Sequence, residues 1–515
     1  MSDRARKAGD RQRKPINETT TTILITLVVY KLVLIGIGLW ASRRVKDEAD
    51  FLVGGRGLGA VVAGMSYAAS TSSAWALLGF SGFVFAVGLS ALWMLPGIWG
   101  GYVIMWVWFG PRIREESSRN ALITPTEFLT ANVDARAARQ IAALAALLIA
   151  FCFVFYIAAQ FAAAAQAFVT NFQMNLGSSI VISASIILIY CLLGGFWAAS
   201  VTDTLQGFVM IAVAMLVPTL AVIEAGGPGQ IIGTLWQTDS TFTQWSGGHS
   251  GFLLLGLVFG LSGVGIGTFG QPHLLSRLMA VKGDRERRNG FVIALTWAVL
   301  IYVGMAWLAL AARSLALTPD ATEQIFYILA EQLLPPILAG IVVAAILSAV
   351  MSTVDSLLLA ASAAVSHDLN LADRFQMREI LVSRIVMTGI VVLAVVLAVV
   401  LPDTIFNRVL FAWSALGAAF GPIVAARVLN LEPPAIARIS SIIVGFGLTV
   451  LFYSYGTLHL ELVDGTINRF FTKLAHLPGD PFERLIPFIP AFLIVYFWPQ
   501  TKATRGDYSA SSGSS

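Results

Sequence analysis

Residues 60–82 read AVVAGMSYAASTSSAWALLGFSG, and residues 256–275 read GLVFGLSGVGIGTFGQPHLL. Both are apolar enough to enter a lipid bilayer, yet neither is composed like a continuous helix. The first carries four consecutive hydroxyls near its middle, Ser70, Thr71, Ser72 and Ser73. The second carries Gly256, Gly260, Gly263, Gly265, Gly267 and Gly270, followed by Pro272. Glycine and proline weaken helix preference, and proline also removes a backbone donor. Inside lipid, carbonyls freed in this way persist only where protein, water or a bound ion satisfies them. Small residues also let helices pack closely, which is the plainer account of either stretch taken alone. Two interrupted segments at matching places in two halves of a chain point instead to the central site of a transporter.

Composition outside these stretches supports a membrane setting. Of the 515 residues, 57% are hydrophobic and 12% are charged, against about 25% charged in a soluble globular protein. That shortage of water-facing residues excludes a soluble enzyme, a nucleic-acid binder and a disordered scaffold. Thirteen apolar spans are predicted. They lie near 20–42, 59–88, 90–110, 141–170, 177–198, 200–224, 250–274, 290–312, 336–365, 385–401, 404–428, 438–457 and 485–499. The interrupted spans stand five apart in that order. Residues 59–224 and 250–428 are therefore expected to be two five-helix units of opposite orientation. One extra helix precedes them at 20–42, and two follow within 438–499. The fold expected is an all-α integral membrane protein of about 13 transmembrane helices with a 5+5 inverted repeat.

With the N-terminus outside, most of the 33 Lys and Arg residues fall in loops on the inner side, Arg277 among them, as cytoplasmic loops prefer. Residues 1–19 form a basic tail whose Arg4, Arg6, Lys7, Arg11, Arg13 and Lys14 argue the other way. The sum over many short loops is taken to outweigh one end, giving N-out and C-in. Residues 1–19 and 500–515 are both expected to be flexible. The first span is too long for a signal-peptide core and should remain in the mature protein. No GxxxxGK[ST] motif occurs, so ATP-driven pumping lacks its phosphate cradle, and no HExxH or Cys/His cluster supports metal catalysis. Cys152 and Cys191 lie in apolar runs and read as small hydrophobes.

Two carboxylates stand inside apolar segments. Asp355 falls mid-way along 336–365, with Ser352 and Ser356 on its face by i, i+3, i+4 spacing and Ala349 and Thr353 beside it. A carboxylate at that depth is costly and needs a polar partner. No Lys or Arg is expected at similar depth, so the partner is a cation or a proton. Asp203 stands in SVTDTLQG at the start of 200–224, where capping a helix N-terminus would account for it. Hydroxyls, carbonyls and one or two carboxylates make the oxygen shell that a hard cation prefers. Sodium and proton coupling both remain open on this ground.

At these residues the chain resembles the sodium/solute symporter family, and most of all its sodium/proline symporter branch, over about residues 48–428. The resemblance rests on FLVGGRGLGAVVAGMSYAAS at 51–70, ITPTEFL at 123–129 and GGFWAASVTDTLQG at 194–207. It continues through FGQPHLLSRLMA at 269–280, AAILSAVMSTVDSLLLAASAAVSHDL at 344–369 and FAWSALGAAFGP at 411–422. It implies a LeuT-like, N-out plan in the plasma (inner) membrane. It also implies a sodium site made by carbonyls of Ala69, Ser72 and Ala349 with hydroxyls of Ser352 and Thr353. A second sodium in some members implies Asp203, Ser352 and Ser356, which Asp355 can join. For the solute, Ser73, Tyr156, Gln271 and Pro272 match the proline pocket. Thr71 stands where those symporters have a carboxylate important for sodium, and Val264 and Thr268 replace a Trp and a Tyr of the proline pocket.

The function expected is sodium-coupled uptake of a small organic solute, proline or a related amino acid first. The alternatives are a sodium- or proton-coupled carrier of a monocarboxylate or osmolyte, or a non-transporting membrane sensor. The partners implied are the small-molecule substrate and membrane lipid, with no nucleic acid and no enzymatic activity.

Overall fold

A computed structural model describes residues 16–42, 56–172, 174–193, 195–400, 404–457 and 465–500. Residues 1–15 and 501–515 of the expected tails, and the loop residues Arg43, Arg44 and Lys46, lie outside the described residues. A helix stands at each of the thirteen expected spans. They are α1 Ile16–Ser42, α2 Ala60–Ala74, α3 Met94–Val103, α4 Ala135–Phe172, α5 Leu176–Leu193 and α6 Phe196–Glu224. After these come α7 Gly251–Gly267, α8 Pro272–Ala280, α9 Asp284–Ser314 and α10 Pro336–Ser362. The last are α11 Glu379–Val400, α12 Ile405–Val428, α13 Ala435–Gly456 and α14 Phe488–Phe497. Helix α8 is the continuation of α7 beyond its break. No strand forms among the described residues; one isolated bridge joins Leu58 to Val281.

Helices α2 and α3 belong to one helical run, Ala60–Arg119, which is broken at Ser73 and turns again at Gly88 (φ +75°). It is one of nine runs among the described residues that are long and apolar enough to cross a membrane. Burial separates centre from rim. In the most apolar window, 94% of α12 is buried, against 33% of α11. Val392, Leu393, Val396 and Val399 of α11 are exposed, which suits a surface facing lipid tails. Helix α2 packs against α6, α9 and α10, so it runs through the middle of the molecule.

The second glycine-rich stretch divides into two parts with different physics. Over 251–267 the helix is unbroken, and its glycines serve contact. A Cβ on Gly265 would lie 2.0 Å from the carbonyl oxygen of Gly97 on α3. On the α12 side, a Cβ on Gly417 would lie 2.4 Å from the Cα of Gly267. The plainer packing account therefore holds for this part. The interruption is confined to a tight turn over Thr268–Gly270 and an extended Gln271 (φ −82°, ψ 109°). Pro272 then opens α8, in the first turn, where a helix has no intrahelical partner for the missing N–H.

Because Gly265 meets backbone rather than a yielding side chain, Gly265→Ala should cost about 1–3 kcal/mol through overpacking. Thermal unfolding of the detergent-purified protein should show a lowered midpoint. Gly100→Ala on α3, where a Cβ meets nothing within 4 Å, should leave it unchanged or raise it.

Candidate functional site

The break in α2 falls at Ser73, whose φ of 51° and ψ of −172° lie in a region that residues with a side chain rarely occupy. Local hydrogen bonds hold it there. The Trp75 amide donates to Ser73 Oγ at 3.0 Å, and the Ala74 amide donates to Gln160 Oε1 of α4 at 3.2 Å. A wide π-helical turn over Trp75–Phe80 follows.

On the side of the break facing α10, backbone and hydroxyl oxygens gather. Ser70 Oγ donates to the Ser352 carbonyl at 3.1 Å, and Thr353 Oγ1 donates to the Ser70 carbonyl at 3.3 Å. Ser352 Oγ donates to the Ala349 carbonyl at 3.2 Å. Ala69, Ser72, Ala349, Ser352 and Thr353, the five residues expected around a sodium ion, are all fully buried on these two helices. Their donor set is neutral oxygen only, which fits a hard monovalent cation.

A charged network lies one turn away, and it corrects two expectations. Asp203 is not a helix cap: α6 begins at Phe196 with Gly195 as its cap, so Asp203 is about two turns inside. It is fully buried, and its Oδ2 accepts from Ser66 Oγ at 2.8 Å and Ser70 Oγ at 3.4 Å. Arg277 is not in a solvated loop. It is buried on α8, with Nη2 2.9 Å from Asp203 Oδ2 and 2.5 Å from Ser356 Oγ. Asp355 accepts from Ser356 Oγ at 3.1 Å. A basic side chain therefore does stand beside the two carboxylates. The hint in the sequence was an Arg flanked on both sides by Leu274, Leu275, Leu278 and Met279, all of which are buried.

On the other side of the break is a small cavity. Of the six residues expected to contact solute, Tyr156, Val264 and Thr268 line it. The other three are not among its lining residues. Ser73 holds the turn. Gln271 donates through Nε2 to the Gly267 and Trp413 carbonyls, each at 2.9 Å, and Pro272 starts α8. The rings that Val264 and Thr268 do not provide are supplied from elsewhere, by Trp75, Tyr102, Tyr302 and Trp413. Rings from neighbouring helices reach this space because α7 is pressed so closely against α3 and α12. Trp413 Nε1 donates to the Val264 carbonyl at 3.0 Å, and the Trp75 and Tyr302 rings lie 6.3 Å apart. Trp75 Nε1 is buried without a hydrogen-bond partner. Thr71 also lines the cavity, and its hydroxyl donates back to the Tyr67 carbonyl.

Beyond the membrane-spanning part of α10, the ITPTEFL motif docks on the chain that follows. Thr124 and Glu127 form a reciprocal cap on the short helix Pro125–Thr130. Thr124 Oγ1 donates to Asp368 Oδ1 at 2.8 Å, and His367 Nε2 lies 3.4 Å from Glu127 Oε1. Burial pushes the Glu127 carboxyl up, but His367 and the amides of Ile123 and Thr124 outweigh it, and the group is held below its ordinary value. Burial dominates at Asp368 and raises its carboxyl from 3.8 to about 7.

For a raised carboxyl, the stability contributed is complete below the ordinary value and is lost as pH climbs through the folded one. Thermal midpoints should therefore fall between about pH 5 and 7 in the parent protein and level off above that. Asp368→Asn, which stays neutral, should flatten that slope.

Two interrupted helices, with a cavity on one side of the first break and a buried oxygen shell on the other, define a secondary carrier of small solutes. The profile of the sodium:solute symporter family matches residues 51–429. The chain is 32% identical over 463 residues to the sodium/proline symporter of Salmonella typhimurium, covering 87% of this chain and 91% of that one. It is 29% identical over 433 residues to a high-affinity proline transporter of Bacillus subtilis, covering 82% and 90%. Among solved structures, a sodium-coupled sialic acid symporter superposes with a TM-score of 0.74 at 17% identity, over 93% of this chain and 99% of that one. A nucleobase-cation-symport-1 family transporter gives 0.54 at 12% identity, over 89% and 98%. The chain belongs to the sodium:solute symporter family. It has the LeuT-type fold and takes up a small solute with sodium; it is a transporter and not an enzyme.

Proposed function

We propose that the solute is proline or a closely related small amino acid. The observation that carries this reading is a cavity walled by aromatic rings and hydroxyls with no charged side chain in its lining. A zwitterion enters such a space without bringing net charge. Its apolar ring packs against indole and phenol faces, and its ammonium is attracted by their electron-rich surfaces. The unpartnered Trp75 Nε1 is placed to donate to a carboxylate. A monocarboxylate lacks the ammonium and would bury a bare negative charge. An osmolyte with a methylated ammonium fits the same walls and is the second reading. The proline transporters among the relatives favour the first.

In this reading one sodium ion is held by the carbonyls of Ala69, Ser72 and Ala349 and the hydroxyls of Ser352 and Thr353. Tyr156, Val264 and Thr268 face the solute together with Trp75, Tyr102, Tyr302 and Trp413. Residues 59–224 and 250–428 act as the two repeats, with 20–42 and 438–499 as additions. The protein sits in the plasma membrane, N-terminus outside and C-terminus in the cytoplasm, with lipid and solute as its partners.

Uptake of radiolabelled proline, betaine and lactate into proteoliposomes, under sodium, lithium or proton gradients, tests the whole reading. Proline uptake driven by sodium alone is expected. Uptake of lactate, or drive by protons alone, would overturn it. Ser352→Ala and Thr353→Ala should each raise the sodium concentration for half-maximal uptake about tenfold, as the loss of one ion ligand worth about 1.4 kcal/mol implies, with expression unchanged. Val264→Trp adds an indole to a space already walled by rings. It should abolish proline uptake while the protein still elutes as a single folded species.

A further inference from the structure

The helix that precedes the two repeats reaches the core through one hydroxyl. Helix α1 lies against α6 and α10. Leu27 and Leu34 are buried and Tyr30 is half-buried, so the helix docks by a single stripe at i, i+3 and i+7. Ile25, Val28, Leu32 and Val33 on its other faces are exposed, as suits lipid. Tyr30 is the polar member of the stripe, and its Oη lies 2.5 Å from Ser348 Oγ of α10. The direction of that bond is fixed. Ser348 Oγ already donates to the Ala344 carbonyl at 2.6 Å, so its one proton is committed and Tyr30 is the donor. Ser348 is fully buried.

We propose that Tyr30 is a positioning residue for the coupling ion, its hydroxyl fixing α10 at the level where that helix contributes to the sodium shell. The inference rests on the sodium site proposed above and gives the added helix a part in it. Ser348 directly precedes Ala349 and stands one turn before Ser352 on the same side of α10. The Ala349 carbonyl and the Ser352 and Thr353 hydroxyls supply the α10 part of that shell, and Ala69 and Ser72 supply the α2 part. The shell is complete only when two separate helices stand in one register. Hydroxyls that bond back to their own helix weaken and bend it. Helix α10 carries a succession of them, Ser348 to Ala344, Ser352 to Ala349 and Ser356 to Ser352. A helix so built needs holding from outside. Helix α2 holds it through Ser70 and Thr353, at the seam the ion would occupy. Tyr30 holds it from a helix outside both repeats, and it does not line the solute cavity.

Equilibrium binding of radioactive sodium to the purified full-length protein, at constant ionic strength, tests this. Tyr30→Phe keeps the ring and removes the donor; Ser348→Ala removes the acceptor. Each should weaken sodium binding about threefold, the factor equivalent to an average interhelical hydrogen bond in a membrane. The KM for radiolabelled proline in proteoliposomes at saturating sodium should stay parental. The double variant should bind sodium no more weakly than either single one, because both changes remove the same bond. Parental sodium affinity in Tyr30→Phe, or losses that multiply in the double variant, would overturn the proposal while a weakened Ser352→Ala keeps the sodium site. A thermal midpoint lowered in sodium-free buffer with sodium affinity unchanged would show packing alone and overturn it too. If Ser348→Ala does not fold, Tyr30→Phe decides the matter by itself. Should Ser352→Ala bind sodium as the parent does, the sodium site falls, and this inference with it.

Discussion

At Ser73 the chain leaves helical geometry in the middle of a membrane-spanning segment, and each backbone group loosed there must find a partner inside the protein. The amides go to Ser73 Oγ and Gln160, and the oxygens turn toward α10. That one requirement accounts for the fully buried Gln160 on α4 and for the hydroxyls of α10 that meet the break. An unbroken α2 would need neither. The break also has two working sides. Its hydroxyls face Ser352 and Thr353, while the turn just beyond it carries Trp75 into the cavity. In the proposed reading, an ion bound on one side acts on the other through this shared piece of backbone.

The second repeat handles its interruption differently. Helix α7 has no room to move on α3 or α12, because glycine meets backbone at both seams. Gln271 clamps the turn to Gly267 and Trp413.

The architecture was largely legible because its signals are local. Apolar length marked the thirteen helices, and four consecutive hydroxyls marked the first break within a residue or two. In the second stretch glycine served two purposes, and only the Gly270–Pro272 end carried the break. What escaped the sequence was whatever depends on distant segments meeting. Trp75 and Tyr102 stand 27 positions apart on either side of the turn at Gly88, and Tyr302 and Trp413 are far later in the chain, so no helix-length window holds two of them. A basic residue near the end of an apolar span ordinarily snorkels to water, and so Arg277 reads as a loop residue in the sequence. Here Asp203, 74 positions earlier in the chain, is close enough to keep it inside. Asp203 in turn looked like a cap because α6 starts four residues earlier than its apolar run suggests.

The network of Asp203, Asp355 and Arg277 has an electrical consequence. With both carboxylates ionised, these three groups sum to one negative charge, and a bound sodium ion cancels it. A carrier loaded with sodium and a zwitterion would then cross between its two states as a neutral body, and the empty one would cross as an anion. A potential of 100 mV acts on a unit charge with about 2.3 kcal/mol. The force would fall on the unloaded return, so a negative interior would speed recovery of the outward-facing carrier and leave the loaded crossing almost untouched.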